Sequence, residues 1–170
     1  MKTILLMRHA KAAEPESGQS DFDRELTAEG LQSATETGTA LLSLGIPIDR
    51  IIASTSARTR QTADFVANVM QSAAAREDRE SLYLSPAKEI KAAVREQTLA
   101  DESSVLIVGH NPGIAGLICR WADQSLAVPP ATVAVFESSA DTWSDVRRKS
   151  GHGPALVFLL HDGKVIYQRN

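Results

Sequence analysis

A single cysteine, Cys119, stands among 170 residues, which excludes an intrachain disulfide framework and leaves the fold to its own core. That thiol falls inside an apolar helical stretch with no basic neighbour on a loop, so an inert buried role is expected of it. A basic excess is also missing: 18 Lys and Arg stand against 21 Asp and Glu, a formal net charge of -3. Nucleic-acid binding is therefore not expected, and any anion site has to be local. No apolar run is long enough to span a bilayer, so no membrane partner is expected either. The apolar stretch after Lys2 is cut off by Arg8, too early for the apolar core of a signal peptide. With the lone cysteine, this points to the cytoplasm.

Several catalytic signatures are absent too. No Gly-x-Ser-x-Gly elbow surrounds Ser54 or Ser56, which argues against a serine hydrolase. The histidines lack His-x-x-x-His or carboxylate-interleaved spacing, so zinc hydrolysis has little support. No Walker loop or dinucleotide glycine fingerprint occurs. What remains is 43% hydrophobic and 23% charged, the composition of a globular chain, and residues 1–170 read as one domain.

Thr3 to Met7 reads as a buried strand that ends abruptly in Arg8-His9. A polar loop follows, then a helix capped by Thr27, with a stripe of Leu31, Ala34, Leu41, Leu42 and Leu44 that stops at Gly45. Asp49 to Ser54 reads as a second strand. The next helix begins near Ser56 or Ala57, carries Ala63, Val66, Ala67 and Met70, and fades in Ala73-Ala74-Ala75. Ser81 to Leu84 is a weaker strand candidate. Ser85 is placed as cap and Pro86 as first residue of a helix running to about Thr98. Val105 to Val108 is the clearest strand, Ile114, Leu117, Ile118 and Trp121 mark a helix, and Thr132 to Phe136 is another strand. Ala155 to Leu160 and Lys164 to Gln168 flank Asp162-Gly163, a hairpin turn signal. The alternation predicts a three-layer α/β/α fold: a mostly parallel central sheet, helices on both faces, and a C-terminal antiparallel hairpin.

Two strands run straight into a histidine, His9 and His110, and a third leads through a short turn to Arg58. In an open α/β sheet the carboxyl edge is where ligands bind. If the three strands are parallel, Arg8, His9, Arg58 and His110 gather there as two fixed cations and two imidazoles, beside the amino ends of two helices. Such a pocket suits phosphate, or sulfate in its place, whose oxygens match the arginine fork. Taken singly, each piece is ordinary: Arg58 and Arg60 are helix-surface cations, and His110-Asn111-Pro112-Gly113 is a plain strand-to-helix turn. His152 and His161 read as solvated loop residues, and Arg147-Arg148-Lys149 as a charged loop.

Leu6-Met7-Arg8-His9-Ala10-Lys11-Ala12 resembles the Arg-His signature of the histidine phosphatase superfamily, whose fold is phosphoglycerate mutase-like. Ala10-Lys11, where glycine usually follows the histidine, is similar to the SixA-type branch of small phosphohistidine phosphatases. Ser54 to Ala63 resembles that family's arginine segment, with Arg58 at its phosphate-binding position. Val108 to Gly113 resembles its second-histidine motif, and Asp21 to Gly30 a segment typical of the SixA branch.

The resemblance implies a phosphatase in which His9 attacks phosphorus and water hydrolyses the phosphohistidine formed. Arg8, Arg58 and His110 would steady the phosphoryl oxygens without a metal or other cofactor. Lys11 and Asn111 join Arg8, Arg58 and His110 as substrate-binding candidates. His9 has to be neutral to attack, and neighbouring guanidinium groups should keep it so. Asp21 is the candidate acid or water-orienting group, with Glu80 as competitor. The expected substrate is phosphohistidine in a protein. A small phosphorylated metabolite, or phosphate binding without turnover, stays open beside it.

Overall fold

A computed structural model describes residues 1–96, 102–146 and 153–169. Seven strands form one sheet: β1 (Lys2–Arg8), β2 (Arg50–Ser54), β3 (Ala75–Arg79), β4 (Ser104–Gly109), β5 (Thr132–Ser138), β6 (Ala155–His161) and β7 (Lys164–Gln168). Four helices accompany them: α1 (Ala28–Ser43), α2 (Ala57–Val69), α3 (Ala87–Arg95) and α4 (Gly113–Ala122). The strand order is β3-β2-β4-β1-β5-β6-β7.

The apolar runs are explained by burial on both faces. In β1, Leu5 and Met7 join Leu41 of α1 and Val66 of α2. Ile4 and Leu6 point the other way, to Ile90 of α3 and Leu117 and Ile118 of α4. Strict alternation along one strand thus feeds two cores, with α1 packed on α2 over one face and α3 on α4 over the other. Every residue of β4 is buried.

The expectation of a mostly parallel sheet needs correction. β3, β2, β4 and β1 are mutually parallel, but β5 runs antiparallel to β1, β6 to β5 and β7 to β6. The reason lies after α4. Its ten residues carry the chain about 15 Å back across the sheet. The following segment then returns to the carboxyl edge, where the Ala131 N–H bonds the His9 carbonyl at 3.1 Å, so β5 enters from that edge. The expected hairpin is formed by β6 and β7 around Asp162-Gly163.

Two further expectations fail between α2 and α3. The third strand is Ala75–Arg79, not Ser81 to Leu84. It sits at the sheet's edge and is charged, with Arg76 bonded to Asp64 and Asp78, and Arg79 to Glu77 and Glu96. Such side chains stabilise an edge and discourage pairing with another chain, and they leave no apolar alternation to read. Glu80–Leu82 is a single 3-10 turn that buries Leu82. Pro86, not Ser85, is the cap of α3. Ser85 is drawn beneath the start of α4, where a Cβ on Gly113 would collide with the Ser85 carbonyl oxygen, and the Ser85 hydroxyl is buried without a hydrogen-bond partner.

The helix limit near Thr98, Arg147-Arg148-Lys149 and His152 lie outside the described residues. His161 ends β6 rather than lying in a loop, with Nε2 3.4 Å from the Asp162 carboxylate. Cys119 is half-buried, its sulfur against the backbone of Leu126. Among the described residues no helix is long and apolar enough to cross a membrane.

Candidate active site

The carboxyl ends of β2, β4 and β1 lie side by side. Arg8 is in register with Gly109, and Ala53 with Val108, so His9, His110 and Ser54 emerge together. The His9 N–H still reaches the Gly109 carbonyl at 3.1 Å, and the two imidazole centroids are 5.2 Å apart. β2 turns through Thr55 and Ser56 into α2, whose first turn carries Arg58. That side chain is only 3% exposed.

The segment from Arg58 to Thr62 works as a clasp. The Thr59 hydroxyl donates to the Ser54 carbonyl at 2.7 Å, closing the turn. Gln61 accepts from the Leu26 N–H at 2.7 Å and holds the loop ahead of α1. Thr62 donates to the Arg58 carbonyl and accepts from the Ala10 N–H at 3.0 Å, tying α2 to the residue after His9. Gly30 lets α1 approach that residue's neighbour, since a Cβ there would collide with the Lys11 carbonyl.

The hydrogen bonds fix both imidazoles. His9 Nδ1 lies 2.7 Å from the Ala10 carbonyl, which can only accept, so Nδ1 carries the proton. His9 Nε2 is left with its lone pair, and Arg58 Nε donates to it at 3.3 Å. At His110 the guanidinium donates to Nδ1 at 3.4 Å, so Nε2–H points to the Ser54 hydroxyl at 2.9 Å. Burial lowers the His9 pKa from 6.5 to about 4, against the pull of the Ala10 carbonyl and helped by the charges of Arg58, Arg8 and Arg24. Burial, then His9 and Arg58, lower that of His110 to about 3. Both rings are neutral at neutral pH.

Arg8 donates through Nη1 to the Val128 carbonyl at 2.9 Å, while its buried Nε has no hydrogen-bond partner. Asp21 reaches the centre from a 3-10 turn, Asp21–Asp23. Its Oδ2 accepts from Arg58 Nη2 at 2.9 Å and from the Tyr83 hydroxyl at 2.7 Å, and its Oδ1 from Arg24 at 2.8 Å. Arg58 Nη1 also donates to the Asp21 carbonyl oxygen. The Tyr83 hydrogen bond first, then Arg24 and Arg58, hold the Asp21 carboxyl well below the usual carboxylate range. Asp21 is thus held as an anion, and of the two roles expected of it, acid or water-orienting group, that state suits the second.

The other candidates fall outside this knot. Lys11 is exposed and paired with Glu29. Asn111 bonds the Val128 carbonyl and the Ala115 N–H, which pins the turn into α4. Glu80 is exposed at the start of its turn, and Tyr83 is the residue of that segment that reaches the centre. Tyr83, Arg24, Ser54 and Thr62 were not singled out from the sequence. Arg24 lay within the Asp21 to Gly30 segment, whereas Tyr83 follows no periodic pattern that would have marked it.

The arrangement can present a neutral imidazole lone pair among fixed cations, as displacement at phosphorus requires. Among the described residues no group of three or more His, Cys, Asp or Glu could hold a metal ion. Residues 4–82 match the model of the histidine phosphatase superfamily (branch 1). The chain is 30% identical to the solved structure of a protein assigned as phosphohistidine phosphatase SixA from Nakamurella multipartitia, with a TM-score of 0.76 and coverage of 94% of this chain and 95% of that one. The protein histidine phosphatase SixA complexed with tungstate shares the fold at 19% identity, with a TM-score of 0.78 and coverage of 94% and 97%. The mitochondrial serine/threonine-protein phosphatase Pgam5 of Drosophila willistoni is 32% identical over 157 residues, 75% of this chain, and the chain spans 51% of that relative's length.

Proposed function

The chain belongs to the histidine phosphatase superfamily, in its SixA-type branch, and on that premise we propose that it hydrolyses phosphohistidine in a protein through a phosphohistidine intermediate on His9. His9 Nε2 attacks phosphorus in line with the leaving group, and water then displaces the phosphoryl group from the histidine. One hard displacement becomes two easier ones. Arg58 and Arg8 act on the phosphoryl oxygens, where charge shifts in a loose transition state, while His110, its one N–H on Ser54, accepts from Arg58 and steadies that guanidinium.

The observation that carries this reading is the bonding of His9: Nδ1–H on the Ala10 carbonyl and Nε2 facing Arg58. It leaves a neutral nucleophile with its lone pair on the pocket side. The substrate class is supported by the ionised state of Asp21, because a phosphorylated imidazole leaves with less protonation help than an alkoxide. Turnover quenched with alkali, followed by peptide mapping, is expected to show an acid-labile phosphate on His9. Its absence, in the wild type and in variants with slowed hydrolysis, rejects the covalent route. Phosphohistidine protein compared with a panel of phosphorylated metabolites tests the substrate class, and preference for a metabolite replaces it.

A further inference from the structure

Beside the phosphate pocket stands a wall that phosphate binding alone does not require. It is made by Asp21 and Phe22 on one turn and Tyr83 on another, two segments brought together only by the fold. The Tyr83 hydroxyl donates to Asp21 Oδ2 at 2.7 Å. Its ring meets that of Phe22 edge-on at 5.1 Å and that of His110 at 5.4 Å. The residue after Tyr83, Leu84, has φ 48° and is 52% exposed. A leucine held in the left-handed region is the kind of backbone outlier that gathers at ligand clamps. The groups facing the Asp21 carboxylate are Arg24, Arg58 and Tyr83.

Resting on the phosphohistidine reading above, we propose that Asp21, Phe22 and Tyr83 form a leaving-group subsite for an N-phosphorylated imidazole in its ring-protonated form. The ring lies against the aromatic pair, and its free N–H is donated to Asp21. As the bond from His9 Nε2 to phosphorus forms, the substrate's P–N bond breaks and its electron pair returns to the ring nitrogen. The proton stays on the other ring nitrogen, held by Asp21, so neutral imidazole departs and no proton donor is called on. An alkoxide brings no such proton, and the carboxylate has none to give. The nucleophile is arranged in the same way, its Nδ1–H held by the Ala10 carbonyl. The phosphoryl group therefore passes between two imidazoles, each with its distal N–H on an oxygen acceptor. Phosphate oxygens compete for the Arg58 donors that Asp21 holds, and the ring N–H gives the carboxylate a partner in exchange.

The test measures kcat/KM of the full chain on a phosphohistidine peptide and on p-nitrophenyl phosphate, whose leaving group needs no proton, in the wild type, Asp21→Asn and Tyr83→Phe. Thermal melting reports folding. Losses through Arg58 fall on both substrates and cancel in the ratio. Asp21→Asn is expected to lower the phosphohistidine-to-aryl ratio about 100-fold, and Tyr83→Phe about tenfold. Tyr83→Phe keeps the ring, so it carries the test if Asp21→Asn does not fold. Equal losses on both substrates overturn the subsite and leave Asp21 as a partner of Arg58 only. A phospholysine peptide cleaved as well as phosphohistidine, with the same Asp21 dependence, overturns the assignment to imidazole. Failure of the phosphohistidine reading itself shows separately, as a wild type that turns over the aryl ester and not the peptide.

Discussion

Arg58 Nε points at His9 Nε2 from 3.3 Å, so the guanidinium that should hold phosphate also fixes which nitrogen of the nucleophile keeps its lone pair. The same side chain donates to His110 and to Asp21. Replacing it with alanine removes a buried cation and leaves the Asp21 carboxylate without its buried guanidinium partner. Arg58→Ala is expected to lower kcat/KM on an aryl phosphate by about 1,000-fold, the scale of losing a preorganised charge stabiliser. Arg58→Lys should recover little, because an ammonium cannot bond His9, His110 and Asp21 through one planar fork. Steady-state kinetics check this, and recovery to near wild type in the lysine variant would show that charge alone suffices.

The neutral state of His9 has a pH signature. Its pKa in the folded chain is about 4, against an ordinary 6.5. Followed by NMR, the ring is expected to stay neutral to pH 5 and to titrate near 4, moving upward in Arg58→Ala as one repelling cation is lost. A midpoint near 6.5 in the wild type contradicts the geometry. Between those pH values the unfolded chain takes up a proton that the native chain refuses, so stability falls as pH falls across that window. The difference is worth about 3 kcal/mol at most. Urea unfolding at pH 7 and pH 4.5, in wild type and His9→Asn, measures how much of it His9 carries.

Much of this centre was legible in the sequence because the cues were local. Val105 to Val108 is apolar throughout and runs into His110, and Thr3 to Met7 runs into Arg8-His9 in the same way; parallel pairing of β1 with β4 did the rest. What could not be read depended on distant partners. β3 stays in the sheet through pairing with β2 and lateral ion pairs, so no period marks it. The direction of β5 is set by the return to the carboxyl edge, where Ala131 bonds the His9 carbonyl. The protonation of Asp21 is decided first by Tyr83, across a long sequence separation, and Tyr83 lay in a stretch that reads as a strand.

Asp21 competes with any bound anion for the same guanidinium. Asp21→Asn removes a full negative charge next to the pocket and weakens its hold on Arg58. Inorganic phosphate and tungstate are expected to bind this variant about tenfold more tightly, roughly 1.4 kcal/mol, by calorimetry at fixed ionic strength. Weaker binding would mean that Asp21 organises Arg58 for phosphate more than it opposes it.

Ser54 isolates the contribution of His110 orientation. Its hydroxyl, fully buried, accepts a hydrogen bond from His110 Nε2–H at 2.9 Å, and that bond leaves Nδ1 free to accept from Arg58. Ser54→Ala leaves a buried imidazole N–H without a partner, a cost of about 1–3 kcal/mol. The ring can relieve it only by turning and giving up its bond to Arg58. Chemical denaturation should register that loss, and kcat should fall about tenfold with little change in KM, since the oxygen-binding cations stay in place. Ser54→Thr keeps the hydroxyl and adds one methyl in a tightly packed site, so recovery of kcat at reduced stability is expected. A threonine variant as slow as the alanine one would show that volume at this position, and not the hydrogen bond to His110, controls the rate.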